Sequence, residues 1–196
     1  MGSRQEKIRI AKEQEKRDIM IYVLMVDGFE EIEAIEPIDI MRRAGLNVVT
    51  VGVKSQTVKG AHNITIKTDI LIDDVNTEDM ELLMLPGGPG HTELEADERV
   101  HNLIDYAANK KIYIAAICAS PSIIGKKGLL KGKRATCFPG FEEYLIGAEV
   151  MSDKVVVDGK IITGKGAGAA GDFGFEIVKL LKGEEIADDL KGKMQY

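Results

Sequence analysis

Cysteine and histidine are scarce in this chain of 196 residues, which holds two of the first and three of the second. Cys118 and Cys137 form no C-x-x-C arrangement, so the sequence offers neither a zinc spacing nor a disulfide framework. His62, His91 and His101 are scattered, and no His/Cys metal cluster is expected. No apolar run reaches the length needed to cross a bilayer, so no membrane partner is expected. An excess of positive charge is missing too. The net charge is -6, which disfavours a general nucleic-acid surface. The first nineteen residues are charged throughout, where a signal peptide would need an apolar stretch. A reducing cytoplasm is the expected home. There is no internal repeat, and no linker divides the chain.

What remains is an ordinary globular composition, with 44% hydrophobic and 30% charged residues, long enough for one well-buried α/β domain. Residues 1–18 are expected outside the core, as a charged leader or an expression remnant, and 19–196 as a single domain. Nearly continuous apolar runs predict buried strands over 19–26, 47–53, 81–85 and 112–117. Ile32, Ile35, Ile38 and Met41 recur at helical spacing, with acidic residues before them and Arg42 and Arg43 after, in agreement with the helix dipole. Pro37 predicts a kink or a later helix start. Further helices are predicted over 98–109, 173–181 and 184–190, and short ones after Pro121 and over 139–147. Residues 58–72 read as a hairpin or meander at the sheet edge, 135–138 as a short strand, and Asp158-Gly159 as a hairpin turn. Alternating strands and helices predict a doubly wound, flavodoxin-like, mostly parallel sheet covered on both faces. Ligands in such sheets bind beyond the strands' carboxyl ends. Three loops fall there: 27–33, 86–90 and the turn at Cys118.

The run Ala115-Ala116-Ile117-Cys118-Ala119-Ser120-Pro121 places Cys118 on a sharp turn from strand to helix. Ser120 suits an N-cap and Pro121 the first helical position. A helix N-terminus beyond the sulfur is expected to lower the thiol's pKa. A packed, inert cysteine is the plainer alternative for the residue type alone. Glu33 lies next to Ile32 and is expected to turn inward, where burial and a neighbouring thiolate would favour its protonated form. A solvated acidic helix start explains Glu30 or Glu31 better than Glu33. Leu85-Pro86-Gly87-Gly88 reads either as a plain turn or as an oxyanion hole, with the amide of Ala119 as a further donor.

Asp27-Gly28-Phe29-Glu30-Glu31-Ile32-Glu33, Met41-Arg42-Arg43-Ala44-Gly45, Leu85-Pro86-Gly87-Gly88 and the Cys118 motif occur together and in order. On them the chain resembles the ThiJ/PfpI superfamily, within the subfamily of the Parkinson-disease-associated protein deglycase. The likeness runs from about Met20 to about Leu190. It implies a flavodoxin-like fold, a homodimer, a reactive Cys118 partnered by a protonated Glu33, and backbone donors at Gly87, Gly88 and Ala119. Several relatives carry a His before the proline at Pro139, where this chain has Phe138. The protease-like branches place a His directly after the cysteine, where it has Ala119. Peptide hydrolysis is therefore poorly supported. His91, just after the glycine loop, is the one histidine to watch. Cys137 reads as a packed strand residue, with a resolving thiol as the alternative.

Two functions follow from the resemblance. One is a cofactor-independent glyoxalase or deglycase acting on a small reactive carbonyl such as methylglyoxal. The other is a redox sensor or holdase working through oxidation of Cys118. An older label for such relatives, thiazole monophosphate biosynthesis, finds no residue here that reads a thiazole. Arg42 or Arg43 on the first helix is expected at the dimer face.

Overall fold

The computed structural model describes residues 20–196, so the expectations for residues 1–19 lie outside the described residues. The strands are β1 (Met20–Met25), β2 (Asn47–Gly52), β3 (Thr57–Lys59), β4 (Thr65–Lys67), β5 (Ile70–Leu71), β6 (Met80–Leu85), β7 (Tyr113–Ile117), β8 (Arg134–Ala135), β9 (Glu149–Val150), β10 (Val155–Asp158) and β11 (Ile161–Gly164). The helices are α1 (Glu31–Arg43), α2 (His91–Ala96), α3 (Glu98–Lys110), α4 (Pro121–Lys126), α5 (Ala170–Lys182) and α6 (Glu184–Met194).

Seven strands form the central sheet in the order β10-β11-β7-β6-β1-β2-β5. All neighbours are parallel except β10 and β11, which pair antiparallel around a turn at Gly159 and Lys160. Side chains of opposite strand parity feed two cores. Ile21, Val23 and Met25 pack with α1, α5 and α6 on one face. Tyr22, Leu24 and Val26 pack with α2 and α3 on the other. Burial on both faces is why the central strands read as continuous apolar runs. The fold is α/β and flavodoxin-like, as the alternation of elements predicts. Order along the sheet reverses between β1 and β6, so their carboxyl ends flank a crevice.

Several local expectations need correction. Helix α1 starts at Glu31 and continues through Pro37, so the later start at the proline does not occur. Its neighbour α5 comes very close there: a Cβ on Gly174 would lie 3.0 Å from the Pro37 Cα. Tertiary packing of this kind offsets the hydrogen bond that proline removes. Of the hairpin or meander expected over 58–72, the hairpin forms but stands apart from the main sheet. Strands β3 and β4 form a separate antiparallel ribbon, and only β5 joins the main sheet. The expected strand over 135–138 shortens to β8, which pairs with β9 outside the main sheet. In place of a helix over 139–147 there is a single 3-10 turn, Glu142–Tyr144. Helix α2, at His91, was not anticipated, because six residues carry too little periodicity to register.

Candidate active site

The site is built where β1, β6 and β7 end. The turn after β1 leads into α1, whose N-cap is Glu30. The Glu30 carboxylate accepts the Glu33 amide at 2.8 Å, and the Glu30 amide donates to the Gly87 carbonyl at 3.0 Å. These two bonds pin the first turn of α1 against the loop after β6. They aim Glu33 inward: it is 1% exposed, although it lies beside Ile32, which is 51% exposed.

Cys118 directly follows β7 and has a φ of 66°. A non-glycine residue in that region is uncommon and costs on the order of 1–2 kcal/mol. The conformation is over-determined by its neighbours. The Cys118 amide donates to Gly164 at 2.9 Å, and its carbonyl accepts from Phe138 at 2.8 Å. The chain therefore turns between two anchored segments, and the thiol is held at the crevice, 8% exposed. Pro121 is the first residue of α4, as expected. Ser120 occupies the N-cap position as expected, but its side chain makes no cap bond: the hydroxyl donates to the Pro86 carbonyl at 2.6 Å and ties the elbow to the glycine loop.

Gly87 stands between the two candidate side chains, Cys118 and Glu33. A Cβ there would lie 2.4 Å from both the Cys118 Cβ and the Glu33 Oε2. Only a glycine permits that approach. The Gly87 amide donates to Glu33 at 3.1 Å, so it serves the carboxyl. The amides of Gly88 and Ala119 are the ones directed at the sulfur, and the amide of Ala167 is a second donor to Glu33. The three predicted backbone donors thus divide into one for the acid and two for the sulfur.

Burial raises the Glu33 carboxyl to about 7, helped by the charge of Glu30 and opposed by hydrogen bonds from Cys118 and the amides of Gly87 and Ala167. Burial also pushes the Cys118 thiol up to about 12. The Glu33 charge and hydrogen bond add to that rise, and the Gly88 and Ala119 amides pull against it. Burial and the Glu33 charge thus act against the acidified thiol that the helix start favours. Helix α4 has only six residues and follows a buried sulfur, so its dipole does not outweigh desolvation. The thiol and the carboxyl are hydrogen-bonded to each other, within reach of a proton transfer.

The other predicted residues fall as follows. His91 brings Nδ1 to 2.9 Å from the Gly88 carbonyl and meets the Phe141 ring edge-on at 5.2 Å. It buttresses the glycine loop. His101 lies 2.7 Å from the Glu95 carbonyl, on α3. His62 is exposed and sits 2.9 Å from Glu31, whose other oxygen accepts the amides of His62 and Ile64. Glu30, Glu31 and His62 each offer an atom within 4.8 Å of the others, a grouping hidden in sequence because two distant segments supply it. The Glu31 carboxylate already anchors the loop before β4. Cys137 is a free thiol packed in the core on the opposite face from Cys118, so a resolving role has no geometry behind it. Sequence reasoning missed Ala167 and Gly166, which close the site from a glycine-rich loop and contribute only backbone there.

A buried thiol on a strand-to-helix elbow, an inward carboxyl and converging amides at the carboxyl end of a doubly wound sheet define a cysteine-elbow α/β protein. The DJ-1/PfpI family model matches residues 19–180, and the chain belongs to that family. It is 34% identical over 178 residues to Protein DJ-1 homolog B of Arabidopsis thaliana. That alignment takes in 89% of this chain and spans only 41% of the relative's length. A deglycase of Pyrococcus abyssi is 30% identical over 164 residues, covering 83% of this chain and 99% of its own. A glutathione-independent glyoxalase of Caenorhabditis elegans is 31% identical over 172 residues, covering 87% and 92%. Among solved structures, oxidized DJ-1 of Toxoplasma gondii is similar with a TM-score of 0.86 and 29% identity, covering 91% of this chain and 98% of that one.

Proposed function

We propose that this protein is a cofactor-independent enzyme that converts small 2-oxoaldehydes such as methylglyoxal to 2-hydroxy acids. The observation that carries the reading is the Cys118–Glu33 pair, divided by Gly87, with the Gly88 and Ala119 amides at the sulfur. The relatives named deglycase and glyoxalase support it. The thiol proton passes to the Glu33 carboxylate as sulfur bonds to the aldehyde carbon. The carbonyl electron pair moves to oxygen, beside the amides, and a hemithioacetal forms on protonation. Glu33 then assists transfer of the hydrogen from the first carbon to the second, which leaves a thioester of the hydroxy acid. Water releases the acid and restores the thiol. One aldehyde is oxidised and one ketone reduced within the same molecule, so no outside oxidant enters.

Because Glu33 must accept the proton, kcat/KM should rise as pH passes through about 7 and then level. Lactate formation from methylglyoxal, followed from pH 5 to 9 in the parent and in Cys118→Ser, checks this. A variant as fast as the parent, or a rate flat across pH 7, removes the reading.

A second reading, oxidation of Cys118 to the sulfinic acid, is favoured by the same two amides and the adjacent carboxyl, which would hold the added oxygens. Mild peroxide followed by mass spectrometry should then place two oxygens on Cys118 and none on Cys137. Failure to find them on Cys118 ends that reading.

We also propose a homodimer. Exposed Ile35 on α1 lines a surface groove with half-buried Ile66, Ile32 is exposed on the same helix, and the backbone of exposed Ile64 bonds Glu31 of that helix. Ile32 and Ile35 lie on the same helix as Arg42 and Arg43 and add an apolar component to the candidate face. Arg42 donates to its own chain's Val48 carbonyl and Asp69, and Arg43 pairs with Asp39. Sedimentation should give twice the chain mass at micromolar concentration, and Ile32→Glu with Ile64→Glu should give the monomer.

A further inference from the structure

A cavity of about 380 Å³ opens beside the site, lined by Phe138, Lys154, Lys165 and the loop residues Gly166, Ala167 and Gly168. It shares walls with the reactive pair. The Phe138 amide bonds the Cys118 carbonyl, the Ala167 amide donates to Glu33, and a Cβ on Gly166 would lie 3.7 Å from the Glu33 Oε1. The same Cβ would lie 3.2 Å from the Phe138 ring, so the aromatic wall and the loop are in contact. Phe138 is 47% exposed, an unusual state for a phenylalanine and one that leaves its face open to a ligand.

The charges at the rim are unequal. Lys154 and Lys165 are neighbours through a backbone hydrogen bond of 2.9 Å. The Lys154 ammonium is paired with Asp172 at 3.1 Å. The Lys165 ammonium reaches only the neutral Ser152 carbonyl, at 3.2 Å, and among the described residues no ion pair engages it. One uncompensated cation therefore stands over an apolar-walled cavity, in a protein whose net charge is -6. A methylglyoxal molecule attached to Cys118 carries nothing that would use such a cation. A substrate with a short methylene chain ending in an anion would lay the chain along Phe138 and bring the anion to Lys165.

We propose that this cavity receives the anionic tail of the substrate, that Lys165 is a specificity-determining residue, and that the preferred substrates are 2-oxoaldehydes ending in a carboxylate. The inference rests on the 2-oxoaldehyde reading above and names the substrate class for it.

The test compares 4,5-dioxopentanoate, an anionic 2-oxoaldehyde, with neutral methylglyoxal. The parent should favour the anion at least tenfold in kcat/KM, and Lys165→Gln should cut that ratio about tenfold. This change keeps a donor for Ser152 while removing the charge. Lys165→Arg should restore most of the ratio. Gly168→Glu is a second probe, because a Cβ at Gly168 meets nothing within 4 Å and the new carboxylate can be accommodated. It should also depress the ratio. A parent ratio near one, or a ratio that Lys165→Gln does not move, overturns the inference. A binding arm keeps the two readings separate. The unreactive 4-oxopentanoate should bind Cys118→Ser in calorimetry, more weakly at high salt, and at least tenfold more weakly when Lys165→Gln is added. That result, with no turnover of either dicarbonyl by the parent, retains the anion site and removes the enzyme reading. Absence of Lys165-dependent binding removes the anion site whatever the turnover.

Discussion

Glu33→Gln should abolish most of the activity and at the same time stabilise the protein above neutral pH. A properly placed general base contributes on the order of 100- to 10,000-fold, and glutamine cannot take the Cys118 proton, so kcat should fall within that range. The stability effect follows from burial. The folded-state carboxyl titrates near 7, against an ordinary 4.5 for a glutamate. A group whose folded pKa is raised contributes stability fully below its unfolded pKa and loses it as pH climbs through the folded one. Between pH 4.5 and about 7 the parent therefore loses on the order of 3 kcal/mol, the cost of ionising a buried carboxyl. Glutamine has no charge to lose. Denaturant titrations at pH 4.5 and pH 8 should show the variant gaining on the parent by that amount between the two. A constant offset from imperfect hydrogen bonding of the amide cancels in the difference. Equal pH slopes would mean that Glu33 is not held neutral in the fold.

Gly87→Ala should damage both fold and chemistry. The new methyl must enter space where it would lie 2.4 Å from the Cys118 Cβ and from the Glu33 Oε2. Neither can retreat. Cys118 is tied by backbone bonds to Gly164 and Phe138, and Glu33 is tied to the same loop by the Gly87 amide. Overpacking of this kind typically costs about 1–3 kcal/mol. Any relief that does occur must separate the thiol from its base, and activity should drop at least 100-fold, in line with loss of the proton transfer. Urea unfolding and the methylglyoxal assay read the two effects separately. A variant that unfolds at the parent's urea midpoint and keeps its rate would show that the approach at Gly87 is looser than the geometry requires.

Much of this was legible in order along the chain. Apolar runs and breaker residues marked β1, β2, β6 and β7, as well as α1, α3, α5 and α6, because hydrophobic period and turn chemistry are local properties. The same logic failed where the chain lacks period. Residues 58–72 and 134–150 are short, half-exposed pieces: β5 joined the edge of the main sheet, while β3 with β4 and β8 with β9 paired between themselves. Cys118, Glu33, Gly87, Gly88 and Ala119 could be named as candidates because their motifs fall at strand ends and a helix start. Folding assigned the division of labour among the amides, the place of Ala167, and the separation of Cys137 from the site.

The order of amino acids sufficed for a doubly wound sheet and for bringing three named loops to one end of it, since strand and helix periodicity together with right-handed connection leave few alternatives. It did not suffice for the state of the sulfur. A local reading weighed the short helix after Cys118 and pointed to an acidic thiol. Three-dimensional packing buried that thiol against a carboxyl from a helix far away in sequence, and desolvation won, because solvent exclusion is a property of the assembled neighbourhood that no single segment carries.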